Sequence, residues 1–321
     1  MKRTRAEGNM LIALHDSDDT NFPNLALMKL AAWHKRQGND VVWYAPDEAA
    51  SYDLVFSSKV FSWTPEDSGL PPWAVKSGTG YGVFHTLPDA VEHICPDYSI
   101  YQHVHERRNS RRKRPEPAYS MGFTTRGCSN RCAWCVVPRK EGEIRAHADI
   151  EEFCRHRHVV LLDNNALAHD HGIAQIEKMT RLGLRVDFNQ GLGARRIDGP
   201  IARRLAALGW FKPLRLACDQ KGQMPVVEKA VRLLRAAGAK PKEYFCYVLV
   251  TDVDEAYERI MFLRGLGLAP FAQAYRDFSI NTTPTEKQRL FCRWVNHKAL
   301  FKSILWPAYW EQEKTRRGLA A

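Results

Sequence analysis

The sequence predicts an α/β protein made of two strand–helix regions followed by a helical tail. Three patterns in the 321 residues carry that expectation. Short apolar runs alternate with helix-period segments from about residue 10 to 100. The alternation resumes for six repeats between 118 and 276, and residues 277–321 are helix-like and dense in aromatic and basic side chains. Such alternation favours parallel strands with helices laid against the sheet. The length leaves room for two domains. Hydrophobic residues make up 45% and charged residues 26%, which are ordinary globular values. No apolar run approaches the roughly 20 residues that span a bilayer. The basic N-terminus precedes an apolar stretch broken by His15 and Asp16, so it lacks a secretory core, and a cytoplasmic location is expected.

Residues 1–104 read as a small doubly wound α/β domain. Residues 10–14 form a short buried strand, and 41–44 and 53–57 form two more. Between them, 24–37 carries Leu25, Met28, Ala32 and Trp33 near helical spacing, and Gly38 suits the C-terminal cap. The run Gly78-Thr-Gly-Tyr-Gly82 is expected to be a turn. It lacks the Lys-Ser/Thr of a phosphate loop and the G-x-G-x-x-G spacing.

Residues 105–117 read as a basic linker or exposed loop. The formal charge of +11 is concentrated here, where Arg107, Arg108, Arg111, Arg112, Lys113 and Arg114 face only Glu106. A block like this is either a solvated face or a contact for nucleic acid or another polyanion.

Residues 118–276 carry strands at 118–125, 158–163, 185–190, 214–218, 243–250 and 270–275. Helices are expected at 172–182, 200–208 with Pro200 at its start, 225–237 ending at Gly238, and through Tyr257 and Phe262. Six repeats are too few for a closed eightfold barrel. In the tail, 277–321, Phe291, Trp294, Phe301, Trp306, Tyr309 and Trp310 are expected to pack inward while Arg293, Lys298 and Lys302 face solvent; a stacking surface for nucleic acid is the alternative.

Eight cysteines are present, five of them scattered at 95, 154, 218, 246 and 292, which is no disulfide framework. Cys218 and Cys246 lie in apolar runs and read as small buried hydrophobes. The other three form Gly127-Cys-Ser-Asn-Arg-Cys-Ala-Trp-Cys135, a Cys-x3-Cys-x2-Cys triplet after the first strand of the series. Three thiolates hold three metal corners and leave a fourth open, whereas iron–sulfur clusters are usually held by four cysteines. Two other readings stay open. Zinc would take Cys128, Cys132 and Cys135 with Cys154, His147, His156 or His158, although Cys128 to Cys132 is one residue wider than the usual pairing. A thioredoxin-like dithiol at Cys132 and Cys135 would leave Cys128 unexplained. The pairs His156/His158 and His169/His171 read as surface or helix-start clusters rather than metal sites.

The triplet, with Trp134 just before its last cysteine, resembles the signature of the radical S-adenosylmethionine (radical SAM) enzymes. The resemblance implies a [4Fe-4S] cluster on Cys128, Cys132 and Cys135. Its open iron would chelate SAM, and reduction by a donor such as flavodoxin or ferredoxin would give a 5′-deoxyadenosyl radical. It also implies an open, partial (βα)6 barrel over residues 118–276. Asp163, Asn164 and Asn165 stand where the family often has Gly-Gly-Glu for the SAM amino group, and depart from it. Asn189, Gln190 and Arg195 would contact ribose and carboxylate, and the backbone of Trp134 the adenine. Residues 22–33 and 96–101 resemble the front domain and entry linker of cobalamin-binding members, so cobalamin is a further cofactor the resemblance admits. The Asp-x-His-x-x-Gly pattern of some cobalamin proteins is absent.

The expected function is therefore radical SAM chemistry on a nucleic acid, nucleotide or small molecule. Methyl transfer, rearrangement and other C–H functionalisation all fit, and no residue is assigned to catalysis of the second half. Methylthiolation is disfavoured because the front domain offers only Cys95 for a second cluster. The alternative is a nucleic-acid-binding protein with a structural zinc site.

Overall fold

The computed structural model describes residues 8–110, 112–239, 244–277 and 282–318, and divides the chain into two units. The first comprises residues 1–122 and 148–157, the second residues 123–147 and 158–321. Both are mixed α/β with parallel sheets, and no described helix is long and apolar enough to cross a membrane. Arg111, Glu243 and the tail residues 278–281 and 319–321 lie outside the described residues.

The first unit begins with β1 (Leu11–Asp16), α1 (Leu25–Arg36), β2 (Asp40–Trp43), β3 (Leu54–Ser58) and β4 (Val75–Ser77). The order β2-β1-β3-β4 is parallel throughout, so the winding reverses between β1 and β3. Strand alternation assigns the faces. Ile12 and Leu14 join Leu27, Leu30 and Ala31 of α1, while Ala13 turns to the other face with Tyr52 and Val55. Burying each large aliphatic side chain stabilises the unit by about 1.5–3 kcal/mol. Helix α1 starts where Asn24 accepts from Ala26 and Leu27 N–H at 3.1 and 3.3 Å, and Gly38 follows it with φ +81°. A short helix at Asp89–Glu92, which adds Val91 to the core, precedes helix α2 (Gln102–Ser110) and strand β5 (Tyr119–Gly122), and a further short helix spans Ile150–Phe153. The basic segment therefore starts inside a helix, with Arg107 and Arg108 in its last turn.

The second unit opens with a two-stranded antiparallel pair, β6 (Thr125–Arg126) and β7 (Arg145–Ala146). A strand–helix series follows: β8 (His158–Leu161), α3 (Asp170–Arg181), β9 (Arg185–Phe188), α4 (Gly199–Ala207) and β10 (Gly209–Trp210). It continues through β11 (Arg215–Ala217), α5 (Met224–Ala236), β12 (Phe245–Val250), α6 (Val253–Gly265) and β13 (Ala269–Ala274). Strands β8, β9 and β10 pair in parallel, and so do β11, β12 and β13. Only four residues separate β10 from β11, so one extended stretch serves both sheets in turn. Pro213 lies in that gap and has no N–H to give to a ladder. Val159, Val160, Leu161, Val186, Leu216 and Val248 are fully buried, as expected for parallel strands covered on both faces.

The tail supplies α7 (Glu286–Asn296), α8 (Lys298–Ser303) and α9 (Trp306–Arg317). Four of its aromatics, Phe291, Trp294, Trp306 and Tyr309, are buried and in ring contact, while Phe301 and Trp310 are half-buried against Trp294 and Trp306. Asn296 both donates to and accepts from the backbone of Ala272 at 2.9 Å, supplying side-chain bonds to strand β13.

Candidate functional site

The cysteine loop leaves β6 at Gly127, whose φ of +82° is left-handed. A Cβ there would come within 2.2 Å of the Glu143 carbonyl oxygen, so only glycine fits. The Gly127 N–H donates to Glu141 Oε2 at 2.8 Å. The same carboxylate pairs with Arg126 at 3.3 Å and accepts from Asn164 Nδ2 at 3.1 Å. Glu141 thus ties both ends of the loop to the residues that follow β8. No sequence pattern pointed to it, because its partners lie 14 and 23 residues away.

Asp163, which follows β8 closely, is buried and serves the start of the loop. Its carboxylate accepts from Thr124 N, Thr124 Oγ1, Thr125 N and Thr125 Oγ1 at 2.5–3.1 Å. Burial pushes its pKa up, and the threonine donors pull it down. Asp163 is therefore a positioning residue, engaged with protein donors on both oxygens. Asn165, two residues on, is different. It is 3% exposed, and among the described residues its Oδ1 has no hydrogen-bond partner. A Cβ on Gly193 would stand 2.8 Å from that oxygen, so the glycine backbone passes close beside it.

Cys128 and Cys132 are half-buried and Cys135 is exposed. Burial raises the Cys132 and Cys135 thiols, and the neighbouring cysteines and Asp219 raise them further. Arg195 acts in the opposite direction on Cys132. The three sulfurs, Arg195 and Asp219 therefore share one electrostatic neighbourhood. The turn that carries Arg195 reaches the loop directly, since Arg196 Nη2 donates to Ser129 Oγ at 3.3 Å. Asp219, after β11, accepts from Leu249 N–H at 2.9 Å. Near it the fully buried Arg259 donates to the carbonyls of Cys218 and Leu249 at 2.7 and 3.0 Å. Arg259 pins two strand ends, and nothing in the local sequence marked it for that role.

The remaining expected contacts are less closely drawn in. Asn189 is half-buried; its backbone N–H donates to the Leu161 carbonyl and its own carbonyl accepts from Tyr247 OH, both at 2.9 Å. Gln190 is exposed, and Trp134 is half-buried. His169 caps α3 by accepting from His171 N–H at 3.1 Å, and His156 lies against Tyr98 and Ser120 within the first unit.

Sulfur donors of this number on one loop fit an iron–sulfur cluster in chemistry. The orphaned Asn165 oxygen fits an ammonium donor such as the SAM amino group. Among the described residues no three His, Cys, Asp or Glu side chains close around a common point, so the thiols would turn inward on binding. At the β1/β3 edge of the first unit, His15 is bonded to Ser57 Oγ at 2.9 Å and paired with Asp67 at 3.2 Å. Both of its ring nitrogens are engaged, so His15 does not fit a cobalt ligand. No family model matches the chain, and no curated protein matches it.

Proposed function

We propose that the chain is a radical SAM enzyme whose Cys128, Cys132 and Cys135 hold three irons of a [4Fe-4S] cluster. The observation that carries the reading is the thiol triplet on one loop, beside a buried acceptor, Asn165 Oδ1, that no protein group satisfies. When bound and reduced, by a donor such as flavodoxin or ferredoxin, the cluster supplies the electron that cleaves SAM to a 5′-deoxyadenosyl radical. The protein's part is binding and orientation. Asp163 and Glu141 fix the loop, Asn165 accepts from the SAM amino group, and Asn189, Gln190 and Arg195 offer polar contacts from the next strand end. The strand–helix series 118–276 is read as an open, partial (βα)6 barrel around that site.

Anaerobic reconstitution followed by reduction with SAM tests this. The expected result is about four irons and four sulfides per chain, with 5′-deoxyadenosine as product. Cys128→Ala, Cys132→Ala and Cys135→Ala should each lower that product by more than about 100-fold, because a lost ligand removes the reagent rather than weakening it. Stoichiometric zinc without iron, or full SAM cleavage in any of the three variants, overturns the assignment.

A further inference from the structure

The basic segment does not end in bulk solvent. Arg107, Arg108 and Arg112 line a cleft of 770 Å³ together with Asp19, Thr20, Asn21 and Phe22, all within the first unit, and the exposed Asp19 carboxylate lies 3.8 Å from Arg107. The guanidiniums are held in place. Arg108 pairs with Glu116 at 2.7 Å and donates to Tyr119 OH at 3.3 Å. Arg112 lies 3.6 Å from the same carboxylate, and Arg107 donates to Asn21 Oδ1 at 3.2 Å. The Glu116 side chain is 4% exposed, so a buried anion anchors two cations that keep edges free for another acceptor. Lys113 and Arg114 continue the strip and are exposed. Phe22, at the lip, is 38% exposed.

Arg108 also lines a second cavity, of 420 Å³, walled by Tyr98, Tyr101, His105, Tyr119, Met121 and His156. That pocket lies within the size range that takes small aromatic ligands. One arginine therefore stands between an open basic cleft and an aromatic recess. A cluster of cations beside an aromatic recess matches a single strand, which presents successive phosphates and unpaired bases. A duplex keeps its bases stacked and cannot offer one to a recess.

We propose that this cleft and pocket bind single-stranded nucleic acid, with phosphates on Arg107, Arg108 and Arg112, one base in the tyrosine-lined pocket and Phe22 stacking on a neighbour. The site goes beyond the cluster reading and stands whether or not the cysteine loop binds iron. It is tested by fluorescence anisotropy of the full chain with labelled 12-residue single-stranded RNA and DNA between 50 and 200 mM salt. Three phosphate contacts predict a log–log salt slope of about −2 for a single strand. Arg107→Ala and Arg112→Ala, both at exposed positions, should each weaken binding severalfold and flatten that slope by about 0.7. Phe22→Ala should weaken binding about tenfold and leave the slope unchanged, because stacking releases no counterions. Equal affinity for duplex or for inorganic polyphosphate would reduce the site to a general polyanion patch and overturn the proposal. Binding of free mononucleotide without strand binding, or an unaltered slope in both arginine variants, would overturn it as well.

Discussion

The polar ends of the parallel strands are finished in opposite ways in the two units. In the first, side chains at the ends of β1 and β3 satisfy one another. His15 meets Ser57 and Asp67, Ser57 continues to Tyr81 at 2.9 Å, Asp16 accepts from Tyr101 OH at 2.6 Å, and Asn24 donates to Ser58 at 2.9 Å. This is where the winding reverses, the usual ligand position in such a sheet. Here the molecule fills most of it with its own groups, although Ser17 Oγ, one residue past β1, is buried and meets no partner among the described residues. In the second unit the corresponding ends are only half closed. Asp163 is saturated by threonine donors, but among the described residues Asn165 Oδ1 is buried and orphaned, and the side chains of Asn189 and Gln190 make no hydrogen bond. An unmet buried acceptor costs about 1–3 kcal/mol unless a partner arrives. Polar residues at strand ends are thus scaffold where the protein answers them, and positions to test for ligand contact where it does not.

The largest effect expected from breaking this contrast is at Asp163. Asp163→Ala would strand the hydroxyl and N–H donors of Thr124 and Thr125 in the interior, for a loss of about 3–4 kcal/mol in urea unfolding. Its pH behaviour adds a second readout. The folded carboxyl is raised above its unfolded value of about 3.9. The folded state therefore binds more protons just above that value, and the contribution of Asp163 to stability falls as pH rises through the window. Asp163→Asn, which cannot titrate, should flatten the fall. An unchanged stability-versus-pH curve in that variant would remove Asp163 from the role of buried clamp.

Gly127→Ala comes next. A left-handed backbone costs an L-residue about 1–2 kcal/mol, and its Cβ would collide with the Glu143 carbonyl. A loss of about 2–3 kcal/mol is expected with iron retention also falling, because the collision lies at the root of the cysteine loop. In the closed network of the first unit, His15→Ala should cost about 1–2 kcal/mol by leaving Ser57, 1% exposed, with one partner fewer. It should leave SAM cleavage unchanged. A drop in 5′-deoxyadenosine formation without loss of fold would show that the first unit's strand ends serve the chemistry after all.

Much of this architecture is legible in the sequence because its signals are local. Helix α1 declares itself through Asn24, its apolar spacing and Gly38, and the long buried strands through continuous runs such as Val159–Val160–Leu161. Strands of two or three residues, such as Gly209–Trp210 and Val75–Ser77, hold too few residues to show a period. The β6–β7 pair joins residues 19–21 positions apart with no hairpin turn signal. The thiol triplet is equally local and needs no fold to be seen. Asp163 looked like a ligand contact because its partners are 38 and 39 residues away, and a sequence does not say which polar strand ends find such partners.

Asn189→Ala carries the smallest expected change in stability and the sharpest separation of the two kinds of strand end. Its side chain makes no hydrogen bond among the described residues, and its backbone bonds to Leu161 and Tyr247 survive truncation. Unfolding free energy should therefore stay within about 0.5 kcal/mol of the parent. If Asn189 contacts SAM, affinity measured by equilibrium dialysis on the iron-loaded protein should fall about fivefold, the loss expected for one neutral hydrogen bond worth about 1 kcal/mol. The pattern is the inverse of Asp163→Ala, which should unfold the protein before it reports on any ligand. Equal stability and equal SAM affinity in Asn189→Ala would place Asn189 among the solvated surface groups and confine the SAM contacts to Asn165 and the loop.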